Sequence, residues 1–521
     1  MRWLYVHLMA VIAFAGLLGS GDTHASSAVS PAISHDTSHY WFKNGQPTAN
    51  TLVALDTLLD ASSQGLDPKD YSASVLASRI QDAALSGALT HAHTLEDLST
   101  QIKKALVAYV HDLNQGRLSP VVLKYQFKAP ARSTFNAQAY IDHALSTNTL
   151  AKALEQAQPD APLYDSLRTA MNQYRQMGTP AAWEHPLPVP AGPSLKPGQT
   201  YPALHVLVER LSLLGDLPKH HAVPVLYEGP VVDGVKKFQE RHGLSADGVI
   251  GRETLAQLNI SPAQRVQQIA LNLERLRWTP LRYGQRMIVI NVPEFTLRAY
   301  RVNPDRSVVV DVEMRVIVGR ALNTRTPIFL EDMKFIEFSP YWNIPISIAR
   351  AETLPKLRSD PAYFNRQGLE FVTKEGQVIT TLTEAGIAAV QRGEWRIRQR
   401  PGPLNALGDI KFIFPNDQNI YLHHTPSQNL FGRVRRDLSH GCIRVEEPVK
   451  LAEFVLDNRP DWPRSRIVEA MEGGKSRTLK LNEPLPVLIA YSTAMVKNDK
   501  VHFFPDIYQQ DARLEIALKS R

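Results

Sequence analysis

The sequence predicts a multidomain α+β chain in which helical units precede a mixed β-sheet domain. Three observations carry this. At 521 residues the chain is too long for one ordinary core. Its apolar residues recur at helical spacing up to about residue 260 and then switch, from residue 287, to alternation and β-rich runs. Between the helical stretches, residues 179–198 carry Pro180, Pro186, Pro188, Pro190, Pro193 and Pro197, a shift in composition that marks a linker.

The elements follow in order. Residues 1–25 have the shape of a secretory signal: Arg2, an apolar stretch over 4–18, and a small-residue cleavage site at Thr23-His24-Ala25. The apolar run is short for a membrane span, although an uncleaved segment would act as an inner-membrane tether. No cysteine follows it, which excludes a lipoprotein. The mature chain is therefore expected outside the cytoplasm, in the periplasm, where extra thiols would oxidise. Residues 26–190 are expected to form a helical scaffold, opening on a polar linker over 26–50. Leu52, Leu55, Leu58 and Leu59 share one helix face. Leu95, Leu98, Ile102, Leu106, Tyr109 and Leu113 share another, stopped by Gly116. Residues 195–260 form a second helical unit, whose helices carry Val206, Leu207, Leu211 and Leu214, then Val232, Val235, Phe238 and Gln239, then Leu255 and Leu258. Residues 284–521 form the sheet domain, with strands over 287–292, 295–300, 308–312, 314–318, 335–338, 409–422 and 487–495 and a helix over 448–456. A stretch over 346–400, with helical segments at 348–357 and 384–392, interrupts the strands. An insertion of that size in a sheet is uncommon unless functional, and it reads as a lid with Gly402 and Gly408 as hinges.

Composition narrows the function. With 44% hydrophobic and 21% charged residues the chain is globular, and its formal charge of +7 suggests an anionic partner. The arginines are dispersed and no nucleic-acid motif accompanies them, so nucleic acid is not expected. Cys442 is the only cysteine, so it has no disulfide partner within the chain and must be explained as a thiol. It sits in the polar turn Ser439-His440-Gly441-Cys442-Ile443-Arg444-Val445, unlike a buried cysteine in an apolar run. His440, His423 and His424 are near in sequence, and an imidazole that accepts the thiol proton raises the thiolate fraction. The closely spaced Cys and His pairs of a structural zinc site are missing, so neither metal nor cofactor is expected.

The segment 420–425, the step Leu430-Phe431-Gly432 and the turn 439–445 together resemble the active-site signature of YkuD-type L,D-transpeptidases, closest to their large YcbB-like members. The resemblance implies Cys442 as nucleophile, His423 as general base, and an oxyanion hole of backbone N–H groups around Gly441 and Cys442 with Tyr421 as a third donor. His424 stands where the subgroup carries an acidic residue, which leaves open which of the two imidazoles faces the thiol. Arg444 is placed to pair with a substrate carboxylate or to brace the loop against Glu446 or Glu447. Ser439 and His440 flank the substrate path, and Ser439 is expected to act as a turn residue and not as a nucleophile. Trp342 and Asn405, at the base of the lid, are candidate substrate contacts. Phe238-Gln239, Asp247-Gly248 and Thr254-Leu255 resemble a three-helix peptidoglycan-binding domain, and 346–400 matches the capping subdomain of the same subgroup. The activity implied joins two peptidoglycan stem peptides: a donor tetrapeptide is cut between its diaminopimelate and terminal D-alanine, and the side-chain amine of an acceptor stem resolves the thioester. Cell-wall synthesis proteins are the expected partners. Two other classes use the same residues: a Cys-His cell-wall peptidase that releases peptide without joining chains, and a non-catalytic wall-binding protein.

Overall fold

The computed structural model describes residues 38–127, 135–219, 221–280, 284–305, 307–322 and 324–520. The signal segment expected at 1–25 lies outside them. Eight strands of the C-terminal half pair into a closed ring in the order Ile410–Ile413, Leu422–His423, Ile443–Val445, Val308–Gly319, Thr296–Val302, Arg286–Asn291, Arg477–Ala490 and Phe329–Phe338, which returns to pair with Ile410–Ile413. Alternation along these strands turns Ile288, Ile290, Leu297, Val316, Val318, Ile336, Phe412, Ile443, Val445, Val487 and Ile489 into one core. Two runs expected as separate strands, 308–312 and 314–318, form one strand of 12 residues with a register shift opposite Ala299 and Tyr300.

The helical N-terminal half builds a second core around Trp41, Leu58, Ile102, Leu106, Leu113, Tyr164 and Leu167. Its longest helix, Ala92–Gln115, ends at Gly116 as expected. Residues 26–50 are not all linker: Trp41 is fully buried and its carbonyl accepts from Thr51 Oγ1. Helices Leu204–Leu213, Pro230–Arg241 and Arg252–Leu258 make the third unit, in which Gln239 staples the turn at Gly248. Its Nε2 donates to Asp247 Oδ1 at 3.0 Å and Val249 O at 2.9 Å, and its Oε1 accepts from Gly248 N–H at 2.8 Å. Gly248 sits at φ +74°, where a side chain would be strained.

These units interlock. Helix Pro262–Trp278, which sequence periodicity did not reveal, sends Leu271 and Trp278 into the ring core and Ile269, Leu273 and Leu276 into the helical core. The helical half lends strand Gln126–Phe127, parallel to Phe329–Leu330 on the ring. The ring half lends back hairpin Ala494–Lys497/Lys500–Phe503. On that hairpin Phe503 meets Tyr174, the ring of His242 and the guanidinium of Arg265, so scaffold, third unit and linking helix converge on one aromatic side chain.

The stretch 346–400 is not only helical. Strands Val378–Ile379, Leu369–Val372, Arg396–Gln399 and Trp342–Asn343 form an antiparallel sheet. Helix Glu384–Arg392 lies on that sheet over a core of Leu354, Phe364, Phe371, Ile387 and Ile397. Gly386 permits the approach, since a Cβ there would come within 2.5 Å of the Phe371 ring.

Arg277 is the most demanding buried charge of the linking helix. It is fully buried, and its Nη1 meets Glu274 Oε2 at 2.8 Å while Nη2 donates to Tyr164 Oη at 3.1 Å and to the Gln64 carbonyl. Arg277→Ala would strand Glu274 away from water, and such losses cost about 3–5 kcal/mol. Chemical denaturation should show a loss of that order; a loss under about 1 kcal/mol would show that the pair is not holding the halves together.

Candidate active site

The site is built where two short parallel strands lie side by side. Leu422 pairs with Ile443 and His423 with Arg444. Paired residues in a parallel ladder share a face, and alternate residues along a strand share one too. The core takes Leu422, Ile443 and Val445. The opposite face therefore carries Tyr421, His423, Cys442 and Arg444. Lys411, opposite His423 across the antiparallel neighbour, joins them, with Nζ 4.1 Å above the Tyr421 ring.

The Cys442 sulfur is half-buried, and its thiol donates to Asn419 O at 3.6 Å. Asn419 presents that carbonyl from a left-handed backbone at φ +54°. Asn416 stabilises the turn beneath, its side chain donating to Phe414 O at 2.6 Å and Ile420 O at 2.8 Å. Burial pushes the thiol pKa up, opposed by the Tyr421 N–H and hydroxyl and by the charges of Lys411 and Arg444. His423 is deeply buried, and burial together with the Arg444 charge lowers its pKa to about 3. Its Nδ1–H donates to His424 O at 2.5 Å, and the Leu407 backbone also bonds the ring; both contacts oppose the lowering. Thiol and imidazole thus both rest neutral, since burial opposes the charged form of each. No hydrogen bond joins the two in this conformation, as is common before substrate arrives.

The structure separates the two adjacent histidines. His424 turns to the far side, where Nδ1 donates to Asp409 Oδ1 at 2.7 Å and Nε2 accepts from Gln428 Nε2 at 2.8 Å. Gly408 was expected as a hinge, but a Cβ there would lie 2.7 Å from the His424 ring, so it serves close packing.

Three expected contacts are corrected. Gly441 N–H is not free for an oxyanion, because it donates to Ser439 Oγ at 3.1 Å. Ser439 is buried and spends its hydroxyl on Cys442 O at 2.6 Å, so it shapes the turn and does not reach substrate. Asn405 is buried as well: Nδ2 donates to Pro340 O at 2.9 Å and Arg400 O at 3.0 Å, and Oδ1 accepts from Leu407 N–H at 2.8 Å. It clasps the two stems of the inserted subdomain together. Trp342 stays half-buried and lines a cavity in that subdomain, and His440 Nε2 lies 2.6 Å from Glu352 Oε1 of the same subdomain.

Other residues were invisible to sequence reasoning. Arg320 reaches the site from the end of strand Val308–Gly319, its N–H donating to Ser439 O at 3.0 Å and its charge lowering the pKa of Arg444, after burial. The Arg444 Nε is buried with no partner among the described residues. Thr326 Oγ1 donates to Gly441 O at 2.7 Å and accepts from Gly319 N–H at 2.9 Å. Tyr508 Oη in turn donates to Gly319 O at 2.6 Å and accepts from Thr326 N–H at 3.1 Å. Alternation in the strand Ile410–Ile413 does mark Lys411 as facing away from the core, the one signal available for it.

With this geometry in place, the comparisons fall into order. Residues 285–469 match the family model of the L,D-transpeptidase catalytic domain (YkuD), residues 34–171 match that of a scaffold domain, and residues 201–258 match that of a "Putative peptidoglycan binding domain". Most of the ring, over residues 285–469, is thus similar to an L,D-transpeptidase catalytic domain. A curated relative, the "Putative L,D-transpeptidase" of Haemophilus influenzae, is 32% identical over 251 residues, 48% of this chain and 49% of that protein. The chain thus spans about half the length of that relative. The crystal structure of the L,D-transpeptidase from Xylanimonas cellulosilytica is 14% identical and covers 58% of this chain and 100% of that one, with a TM-score of 0.18.

Because the folded His423 pKa lies below the unfolded value near 6.5, the unfolded chain binds more protons in between. Stability is therefore lost as pH falls from about 6.5 towards 3, by up to about 1.4 kcal/mol per unit from this group. Denaturant titrations at pH 7 and 5 should show a shallower loss in His423→Gln than in the wild type; equal slopes would refute the buried neutral ring. Tyr508→Phe should cost about 1–3 kcal/mol by the same measurement, since it strands Thr326 N–H beneath the turn.

Proposed function

We propose that the chain is a periplasmic L,D-transpeptidase that cross-links peptidoglycan stem peptides through a thioester on Cys442. The observation that carries the proposal is the shared face of Tyr421, His423, Cys442 and Arg444 within the matched domain.

In this reading the donor tetrapeptide lies along the cationic side of the sulfur, where the buried Nε of Arg444 offers an unused donor to a stem carboxylate. As the thiol attacks the carbonyl between diaminopimelate and the terminal D-alanine, His423 Nε2 takes its proton. Starting from neutral partners avoids a buried charge pair until the substrate needs one. The oxyanion is stabilised by Cys442 N–H and the Tyr421 hydroxyl, in place of the Gly441 donor consumed by Ser439. His423 returns the proton to the departing D-alanine amine. The side-chain amine of an acceptor stem then displaces the sulfur and links two diaminopimelate residues. The inserted subdomain acts as a lid that favours amine over water, and the unit at 201–258 holds the wall polymer. Cell-wall synthesis proteins supply the setting, and maintenance of cell shape is the consequence.

A cell-wall peptidase with the same residues would release shortened peptide only, and a pure binding protein would do neither. Incubation with disaccharide-tetrapeptide and mass spectrometry of the products separates the three: dimers are expected. Cys442→Ala should abolish them, and dimers surviving in that variant would sink the assignment of the nucleophile.

His423→Ala should reduce thioester formation by at least about 100-fold, the scale of general-base catalysis, while His424→Ala keeps part of it. The reverse order would exchange their parts. A carbapenem should add its mass to Cys442 in the intact-protein spectrum, and no adduct would count against the class of reaction.

A further inference from the structure

The lid touches the catalytic turn through a polar contact between Glu352 and His440. Glu352 lies in the π-helical turn Ala349–Thr353, between helices Ile346–Ile348 and Leu354–Ser359. A π-turn wedges an extra residue into a helix, and such distortions cluster where side chains serve function. Here Glu352 Oε1 lies 2.6 Å from Nε2 of His440, two residues before Cys442. Both side chains stay within reach of solvent, at 42% and 30% exposure, so a ligand can approach them. Glu352 also forms part of the wall of a lid cavity of about 110 Å³, shared with Trp342, Ile348, Tyr363, Leu404 and one cation, Lys356, whose Nζ sits 5.6 Å over the Tyr363 ring. That volume is of the same order as cavities that admit a benzene-sized group, and most of this lining is aromatic or aliphatic.

The charges around the sulfur are divided. Arg444, Arg320 and Lys411 act on the thiol or on one another from the strand side, which suits carboxylates of an acyl donor. The lid contact contributes a carboxylate instead, which suits an ammonium. An acyl transfer to an amine needs both.

We propose that Glu352 and His440 form the acceptor station, with the lid cavity receiving the alkyl chain that carries the attacking amine. This rests on the transpeptidase reading and extends it to the second substrate. The acceptor arrives as an ammonium drawn to Glu352. His440, whose Nε2–H is directed at that carboxylate, accepts one ammonium proton on Nδ1. The freed lone pair attacks the thioester carbonyl, a C–N bond forms, and collapse of the tetrahedral adduct breaks the C–S bond with its electron pair left on sulfur. A second N–H proton passes to the sulfur, restoring the thiol, and His440 returns its proton to water. His440 is the catalytic residue of this half-reaction, and Glu352 binds the amine and positions the ring.

The test uses the full chain with disaccharide-tetrapeptide as donor and, as acceptor probe, a stem tripeptide carrying a free side-chain amine, followed by mass spectrometry of dimer, hydrolysed donor and acyl-enzyme. In Glu352→Gln the acceptor concentration for half-maximal dimer formation should rise by about tenfold or more, the loss of one charged contact, and acyl-enzyme should accumulate. Glu352→Asp should recover part of the loss, which a merely structural part would not predict. His440→Gln should slow the amine-dependent step at saturating acceptor. An unchanged half-saturation in Glu352→Gln overturns the proposal. So does faster hydrolysis of the thioester without acceptor at unchanged half-saturation, which would make the contact a mechanical latch only. A wild-type chain that forms no thioester would instead overturn the transpeptidase reading, and this station with it.

Discussion

Two residues of parallel pairing, Leu422 beside Ile443 and His423 beside Arg444, set the terms for the rest of the site. A slip of one position would turn Tyr421 and His423 inward and Leu422 outward. The register is held because Leu422, Ile443 and Val445 are all needed in the ring core. It is held again from below, where Thr326 and Tyr508 fix the Gly441 and Gly319 carbonyls that flank the turn. The position of the sulfur thus depends on a residue 66 places later in the chain (508 − 442), as much as on its own loop.

The electrostatics are arranged for charge that is not yet there. Thiol and imidazole rest neutral because burial opposes the charged form of each. Lys411, Arg444 and the Tyr421 hydroxyl already surround the place where negative charge would develop. A site of this kind needs little reorganisation when charge appears, which is where electrostatic stabilisation is largest.

Much of this was legible in the sequence wherever function is local. Tyr421, His423, Cys442 and Arg444 lie in two short segments that a resemblance to a known signature singles out, and the parallel pairing of the two strands puts them on one face. Contacts between distant segments were not legible: Arg320, Lys411 and Glu352 are ordinary surface charges in sequence, and only folding brings them to Arg444, the thiol and His440 respectively. Helix Pro262–Trp278 escaped because Arg265, Arg275 and Arg277 occupy buried positions that a hydrophobic pattern assigns to solvent. Its start was nonetheless written in Ser261-Pro262 and Gln264, which form a capping box. The sheet of the inserted subdomain was missed because its strands are only two to four residues long. Asn405 was misassigned because an asparagine near a glycine-rich bend reads the same whether it faces a ligand or clasps backbone.

The exchange of pieces between the halves has a mechanical result. Gln126–Phe127 is woven into the ring, and the hairpin ending at Phe503 is anchored in the helical half, where His242 of the 201–258 unit also rests on it. Such mutual threading ties that unit, through His242 and Phe503, to the hairpin that follows the last ring strand, so a load placed on the unit is carried into the ring.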